Sequence, residues 1–324
     1  MKAFVTGGAG FIGSNLVDRL LASGHEVTVY DDFSTGQRRF LAGAERQPGY
    51  RLVEGNILDQ AQLTAAITGH DTVFHLAANA DVRFGLDQPR KDLDHNTIGT
   101  WTVLEGMRKA GVKRIAFSST GSVYGEAKVF PTPEDAPFPV QTSLYGASKL
   151  AGEGLISAYC EAYGMRAWIF RFVSILGERY THGHVYDFSK QLLEHPDRLA
   201  VLGDGHQKKS YLHVQDCLDA ILLALDRAPD PVNILNLGTD EYVEVNDSIA
   251  TIIDAMRVSP KLEYSGGKRG WVGDNPFILL DCKRMRGLGW APKRSIRDSL
   301  RGTLHWLLEN RWVMTARSDS KAGS

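Results

Sequence analysis

Lys2-Ala3-Phe4-Val5-Thr6-Gly7-Gly8-Ala9-Gly10-Phe11-Ile12-Gly13 opens the chain and decides its fold. An apolar run, a glycine cluster, and then Ile12, Leu16, Leu20 and Leu21 at helical spacing predict a strand, a tight turn and a helix in direct succession. Gly7, Gly10 and Gly13 take three glycine positions, one residue wider in the first gap than G-x-G-x-x-G. Each has a physical task. Gly7 permits the turn, Gly10 lets backbone approach a pyrophosphate, and Gly13 lets helix and strand pack closely. The helix N-terminus, with Phe11 and Ile12 in its first turn, offers free N–H groups and a dipole that favour an anion. A glycine turn needed for packing alone is the plainer alternative. It does not account for the acid at the end of the next strand, where Asp31 stands 18 residues past Gly13. A carboxylate there takes the ribose hydroxyls of a dinucleotide and repels a 2′-phosphate, so NAD is expected over NADP, with Asp32 sharing the task.

Outward from this loop, strand and helix patterns alternate. Strands are expected at Glu26–Tyr30, Arg51–Glu54, Thr72–His75, Arg114–Ser118 and Arg166–Phe172. Helical patterns lie at Gln60–Ile67, from about Arg90 to Ala110, and from about Ser143 to Tyr163. Continuously apolar strands separated by helices mean a parallel sheet covered on both faces, and right-handed crossovers wind it doubly. The fold class is therefore α/β, a Rossmann-type doubly wound sheet over residues 1–174. After Ser174 the elements shorten and mix, which predicts a smaller α+β substrate-binding portion over 175–314, interleaved with the first. Its helices are expected at Val185–Glu194, Val214–Leu225, Asn246–Met256 and Ile296–Glu309, with a strand at Asn233–Asn236 and short strands near Ala200 and Tyr211. The polar end, 315–324, reads as a disordered tail.

Composition sets the outer bounds. The 324 residues are 43% apolar and 23% charged, inside the globular range, so disordered and disulfide-scaffold classes are excluded. The net charge of −1 offers no basic field for nucleic acid or a membrane surface. Cys160, Cys217 and Cys282 lie far apart, and no metal site is expected. No apolar run is long enough to span a membrane. The N-terminus lacks a basic region and a cleavage site, so a cytoplasmic location is expected.

Tyr145 and Lys149 form a Y-x-x-x-K pair, and i, i+4 residues share one helix face. A nearby ammonium favours tyrosinate and makes a phenol usable as a general base. The spacing alone is common. Its weight comes from the glycine loop and from Ser118-Ser119-Thr120-Gly121-Ser122-Val123-Tyr124-Gly125, which ends the fifth strand, where open α/β sheets place their ligands.

These motifs together resemble the extended short-chain dehydrogenase/reductase family, whose members include nucleotide-sugar epimerases, dehydratases and decarboxylases. The chain is most similar to its UDP-hexose 4-epimerases. The resemblance spans nearly the whole chain. It implies that Thr120, Tyr145 and Lys149 are catalytic. It implies that Leu76, Ala77 and Ala78, after His75, lie beside the cofactor, together with Ser118 and Phe172. Asn56 and Ile57 match the family's adenine-side position, and Asn96 the Asn that supports the active-site helix. Gly203-Asp204-Gly205 and Tyr211-Leu212-His213-Val214-Gln215-Asp216 match a further family segment.

The same resemblance narrows the reaction. Members oxidise the hexose C4 hydroxyl first, and dehydratases then need an Asp-Glu pair directly after the Thr. Here Gly121 and Ser122 stand there, so elimination lacks its acid and base. What remains is a 4-keto sugar that turns over and is reduced on its opposite face, a 4-epimerase; a 4-dehydrogenase or 4-reductase, or a dehydratase, is the alternative. The substrate side departs from the family. Ser174 replaces an Asn, Lys209 replaces a diphosphate-clamping Arg, and Trp271 stands where R-x-G-D has its Arg, ahead of Asp274. Lysine keeps the charge but not the bidentate fork, which Arg269 or Lys268 is expected to supply. Ala80, Thr120, Ser174, Lys209, Arg269 and Asp274 are the expected substrate contacts, for a nucleoside-diphosphate sugar. His70, His75 and His95 read as structural, and His182 and His184 as solvated loop residues. The two long helices match those that pair in the family's homodimers, though simple sheet cover explains them equally.

Overall fold

A computed structural model describes residues 1–80, 87–137 and 140–319. Seven parallel strands form the main sheet: β1 (Lys2–Thr6), β2 (Glu26–Asp31), β3 (Tyr50–Glu54), β4 (Thr72–His75), β5 (Arg114–Thr120), β6 (Arg166–Phe172) and, far later in the chain, β11 (Val232–Leu237). Their order is β11-β6-β5-β4-β1-β2-β3. The order reverses beside β1, whose Thr6 pairs with Tyr30 on one side and His75 on the other. Ligands of open α/β sheets bind beyond the strand ends at such a reversal.

Helices α1 (Phe11–Ala22), α2 (Gln60–Ile67), α3 (Gly99–Ala110) and α4 (Leu144–Tyr163) cover the sheet. Their ends follow local chemistry. Asp59 caps α2 by accepting from the Gln62 N–H, and Ser143 caps α4 by accepting from that of Gly146. Gly111 and Gly164 stop α3 and α4 in the left-handed region, at φ 73° and 60°. Buried side chains form two cores, one on each face; Phe4, Val73, Ile115 and Ile169 point to one, and Val5, Phe74, Ala116 and Phe170 to the other. Period-two alternation on a sheet buried on both faces explains why the sequence reads as continuous apolar runs.

The later chain builds β7 (Ser174–Leu176), α5 (His184–Glu194), β8 (Arg198–Val201), β9 (Lys208–Lys209), β10 (Tyr211–His213), α6 (Val214–Arg227), and, after β11, β12 (Val243–Glu244), α7 (Val245–Met256), β13 (Lys261–Tyr264), β14 (Phe277–Ile278) and α8 (Ile296–Glu309). β7 pairs with β10, β8 with β13, and β9 lies between β12 and β14.

Two expectations need correction. The helix expected from Arg90 to Ala110 is not uniform: a π-helical stretch, Asp92–Ile98, precedes α3. The wider turn lets buried Asn96 reach across to both the β4 loop and α4, which a 3.6-residue period does not reveal. The expected tail is partly helical, since α9 spans Trp312–Asp319. Trp312 packs on Phe40 with ring centroids 5.6 Å apart, Arg39 lies over its indole, and Val313 and Met314 are buried, so the helix is anchored from its first turn. Residues 320–324 lie outside the described residues. No helix among the described residues is long and apolar enough to cross a membrane.

Candidate active site

The glycine loop folds as its composition requires. Gly7 has φ +68°, and a Cβ there would lie 2.6 Å from the Ala77 nitrogen; on Gly13 it would lie 2.1 Å from the Gly7 carbonyl oxygen. These distances forbid a side chain at either place, and the cradle they leave fits a dinucleotide pyrophosphate at the start of α1. Asp31 holds the loop in shape. One carboxylate oxygen accepts from the Ala9 N–H and the other from the Phe33 N–H, each at 2.9 Å. Burial pushes its pKa up, and those two N–H groups oppose the push. Asp32 accepts from Ser34 and from the Asn56 side-chain amide, 3.0 Å away.

A cavity of about 890 Å³ runs from this loop over the strand ends to β9 and β14. It gathers most of the expected residues. Gly7, Gly10, Phe11, Ile12, Gly13, Asp31, Asp32 and Ile57 line its first end. Leu76, Ala77, Ala78, Ala80, Ser118, Thr120, Tyr145 and Phe172 line its middle, and Ser174, Lys209 and Asp274 its far end.

Four expected residues do not line it. Asn56 spends its side chain on Asp32 and on the Leu58 N–H. Asn96 is a buried strut: its Oδ1 accepts from the Asn79 N–H at 2.9 Å, and its Nδ2 donates to Ser148 Oγ at 3.0 Å. Ser148 in turn donates to the Tyr145 carbonyl oxygen at 2.8 Å, so the π-turn fixes the first turn of α4. Lys149 is 1% exposed and sits under the wall, its Nζ 4.2 Å from the Phe117 ring centroid. Arg269 is the fourth, and here the expectation fails: it pairs with Glu126, on the loop beyond Thr120. No guanidinium from that segment reaches the cavity wall.

Thr120 ends β5 and Tyr145 lies in the first turn of α4, and both line the cavity. Burial pushes the Tyr145 phenol up to about 12, the Thr120 hydrogen bond pulls it down, and the Asp92 carboxylate on the π-turn pushes it up again. Lys149 is not among the groups that shift it. Burial pulls Lys149 itself down to about 7, with Glu153 opposing. A lysine so poised changes charge near neutrality, and added positive charge in the cavity pulls both groups down.

Beneath the site lies a network that the sequence reading missed. Glu153, one turn past Lys149, accepts from the buried Arg171 on β6, with Nη2 to Oε2 at 2.7 Å, and from Ser119, next to Thr120. Arg171 also donates to Tyr124 Oη at 2.7 Å and to the Glu134 carbonyl oxygen at 3.0 Å. The i+4 step from Lys149 to Glu153 was the one sequence signal for it. Asn79, which binds Asp92 and Asn96, was also missed.

The histidines divide. His75 lies between Thr6 and Thr100 hydroxyls and is held down to about 3 by burial, and His70 bonds Thr28 and the Ile67 carbonyl, both structural as expected. His95 bonds the Lys91 carbonyl and also lines the cavity. His182 and His184 are cavity-lining instead of solvated. His184 heads α5, and its ring stacks on Tyr211 with centroids 4.8 Å apart.

Residues 3–238 match the model of the NAD-dependent epimerase/dehydratase family. The chain belongs to that family. Among similar members is a UDP-glucose 4-epimerase of Mycolicibacterium smegmatis, 34% identical, with 94% of this chain and 98% of the relative covered. A crystal structure of a UDP-galactose 4-epimerase superposes with a TM-score of 0.87 at 36% identity, covering 96% of this chain and all of that one. A dTDP-glucose 4,6-dehydratase of Streptomyces venezuelae, solved with NAD bound, superposes at 0.87 with 29% identity over 96% of this chain and 98% of its own. Dependence on NAD is thus a property of the family, and the glycine cradle and paired Asp31 and Asp32 of this member fit it.

Proposed function

We propose that this member is a 4-epimerase of a nucleoside-diphosphate sugar. The observation that carries the reading is that Thr120 and Tyr145 line the same cavity, with Gly121 and Ser122 directly after Thr120. Bound at the glycine loop, NAD supplies a reversible hydride acceptor. Tyr145 takes the proton of the sugar C4 hydroxyl, and Thr120 holds the same oxygen and relays its proton. Lys149, one helical turn past Tyr145 and just under the cavity wall, is the residue that the family resemblance gives the nicotinamide ribose and the tuning of the phenol. After the 4-keto sugar turns in the cavity, Tyr145 returns the proton to the oxygen. Ala80, Ser174, Lys209 and Asp274 form the substrate side of the same cavity that begins at the glycine loop. Elimination of water, the dehydratase alternative, needs a carboxyl acid and base beside C5 and C6. The glycine and serine after Thr120 supply neither.

The reading extends to a cytoplasmic homodimer. α3 and α4 lie side by side, with Tyr159 Oη donating to Glu105 at 2.7 Å; Trp101 on α3 is exposed, as are Leu93 and Ile98 on the π-turn that leads into it. Such apolar exposure on paired helices suits an isologous contact with a second copy.

The test is turnover in D₂O followed by NMR, with UDP-glucose, UDP-N-acetylglucosamine, UDP-glucuronate and CDP- and GDP-sugars, and catalytic NAD. A 4-epimer without deuterium at C3 or C5 is the expected product. A 4-keto product, deuterium incorporation, or net formation of NADH would overturn the reading.

A further inference from the structure

Asp92 opens the π-turn and is 1% exposed. Its Oδ1 accepts from Asn79 Nδ2 at 2.9 Å and from Asn96 Nδ2 at 3.3 Å. Its Oδ2 has no hydrogen-bond partner, and neither oxygen meets a cation among the described residues. Buried carboxylates are ordinarily paired with a cation, because desolvation penalises the charge. Asparagine in the same place would accept from both amides and bury no charge. The hydrogen bonds therefore do not account for an acid here.

Both groups that Asp92 holds lead into the site. Asn79 lines the cavity on the loop after β4, and its backbone N–H donates to Asn96 Oδ1 at 2.9 Å. Asn96 Nδ2 donates to Ser148 Oγ, and Ser148 Oγ to the Tyr145 carbonyl oxygen. Thr97, next on the turn, donates to the Ser148 carbonyl oxygen at 3.3 Å. Two side chains thus link Asp92 to the backbone of Tyr145. Among the described residues, Asp92 is also the one charge that bears on the Tyr145 phenol. Little around it cancels that charge. On its own turn, Asp94 pairs with Arg90 at 3.0 Å, and His95 is the one charged group that acts back on Asp92. Lys91 precedes the turn in sequence. On α4, packed against the turn, Glu153 acts on Lys149, and on α3 Glu105 pairs with Arg108.

We propose that Asp92 is a positioning residue for Tyr145: through Asn96 and Ser148 it fixes the helix turn that carries the phenol, and its negative charge keeps the phenol proton in place while the keto sugar turns. The inference rests on the epimerase reading above. The proton that Tyr145 takes from the C4 hydroxyl has to wait on the phenol until the other face of the sugar is presented. Then hydride adds to the keto carbon, the phenol O–H bond breaks, and its proton goes to the C4 oxygen. Tyr145 is left as phenolate and the sugar as an alcohol. A phenol that has lost its proton to solvent in the interval cannot complete this step, and a carboxylate behind it opposes the loss.

The test uses the NAD-loaded protein. Asp92→Asn keeps the acceptor toward Asn79 and Asn96, sets its amide nitrogen where Oδ2 has no partner, and removes the charge. Tyrosine labelled with carbon-13 at Cζ reports ionisation by NMR without turnover, and Tyr145→Phe identifies the resonance. In Asp92→Asn, Tyr145 is expected to titrate about one unit lower, and its limb of the kcat–pH profile to move the same way. Bound NAD is unchanged, sugar KM stays within about twofold, and the melting temperature does not fall, since no ion pair is broken. A purely structural role predicts the reverse: a lower melting temperature with the titration unmoved. Asp92→Ser, expected to show the same downward shift with a lower kcat, covers the case in which Asp92→Asn fails to fold. A Tyr145 titration within about 0.3 unit of wild type in the folded variants would overturn the inference and leave the epimerase reading intact. The downward shift in a protein whose wild type epimerises no nucleotide sugar would sink the epimerase reading and leave the action of Asp92 on Tyr145 standing. Failure of both variants to fold would assign the acid to the fold and overturn the inference.

Discussion

Glu153→Ala is the most informative single change outside the cavity. The carboxylate is 4% exposed, and its partner Arg171 is 2% exposed. Removing it strips Arg171 of the acceptors for Nε and Nη2 and leaves Ser119 without its acceptor. Arg171 keeps only Tyr124 and the Glu134 carbonyl. A buried guanidinium cannot shed its proton, so the charge stays and is uncompensated. Breaking one side of a buried ion pair costs about 3–5 kcal/mol, a large share of the about 5–15 kcal/mol that a folded domain holds. The sign differs for the pair removed together: Glu153→Met with Arg171→Met takes away both charges and is expected to recover most of the loss. The assay is denaturant unfolding of the apo-protein, comparing single and double variants. A single variant within about 1 kcal/mol of wild type, or a double variant no more stable than the single, would refute the reasoning. The same change has a chemical readout. Glu153 is the charge that opposes burial at Lys149, so its loss drops the lysine below about 7 and moves the acidic limb of the pH–rate profile.

Other outcomes follow from the same geometry. Tyr145→Phe is expected to lower kcat by about 10²–10⁴-fold while NAD content stays normal; near-normal turnover would contradict the assignment. Gly13→Ala places a Cβ 2.1 Å from the Gly7 carbonyl oxygen, so purified protein should lose its bound NAD by absorbance, or not fold. Lys149 has a folded pKa of about 7, below its ordinary 10.5, so the unfolded chain holds the proton across that interval and apo-protein stability rises as pH rises through it. Lys149→Met should flatten that rise in thermal melts from pH 7 to 10, with loss of activity. Asp31→Asn turns one acceptor of the loop into a donor facing the Ala9 or Phe33 N–H, and should weaken NAD binding at least tenfold in a fluorescence titration.

How much of this was legible in the sequence depends on the range of the interaction. Thr72–His75, Arg166–Phe172, Gln60–Ile67 and Ile296–Glu309 were read at their observed bounds, because apolar period and local caps set them. The π-turn at Asp92–Ile98 escaped, since one extra residue in a turn leaves the apolar stripe almost unchanged. Thr120 and Tyr145 were found because strand end and helix start carry their own signatures. Lys149 was found as a sequence neighbour, but its depth under the wall is a packing result. Arg269 was misread: a charge near the right segment is no guide to its partner, and Glu126 lies 143 positions away in the chain. Asp92 had no sequence signal, because a vacant hydrogen bond is visible only once the neighbours that fail to fill it are in place.

β11 joins the main sheet from residues 232–237, pairing Ile234 with Ile169 and Leu237 with Phe172. Protein engineers who wish to change the accepted sugar by recombining homologous chains would find the obvious crossover near residue 174 unsuitable. A graft taken there exchanges the outermost strand of the recipient's own sheet along with the donor's pocket. A mismatched strand at that border would leave the backbone of β6 exposed to pairing with other chains, and the hybrid would aggregate before its selectivity could be measured. Point changes inside the cavity, which leave that seam intact, are the workable route to a new specificity.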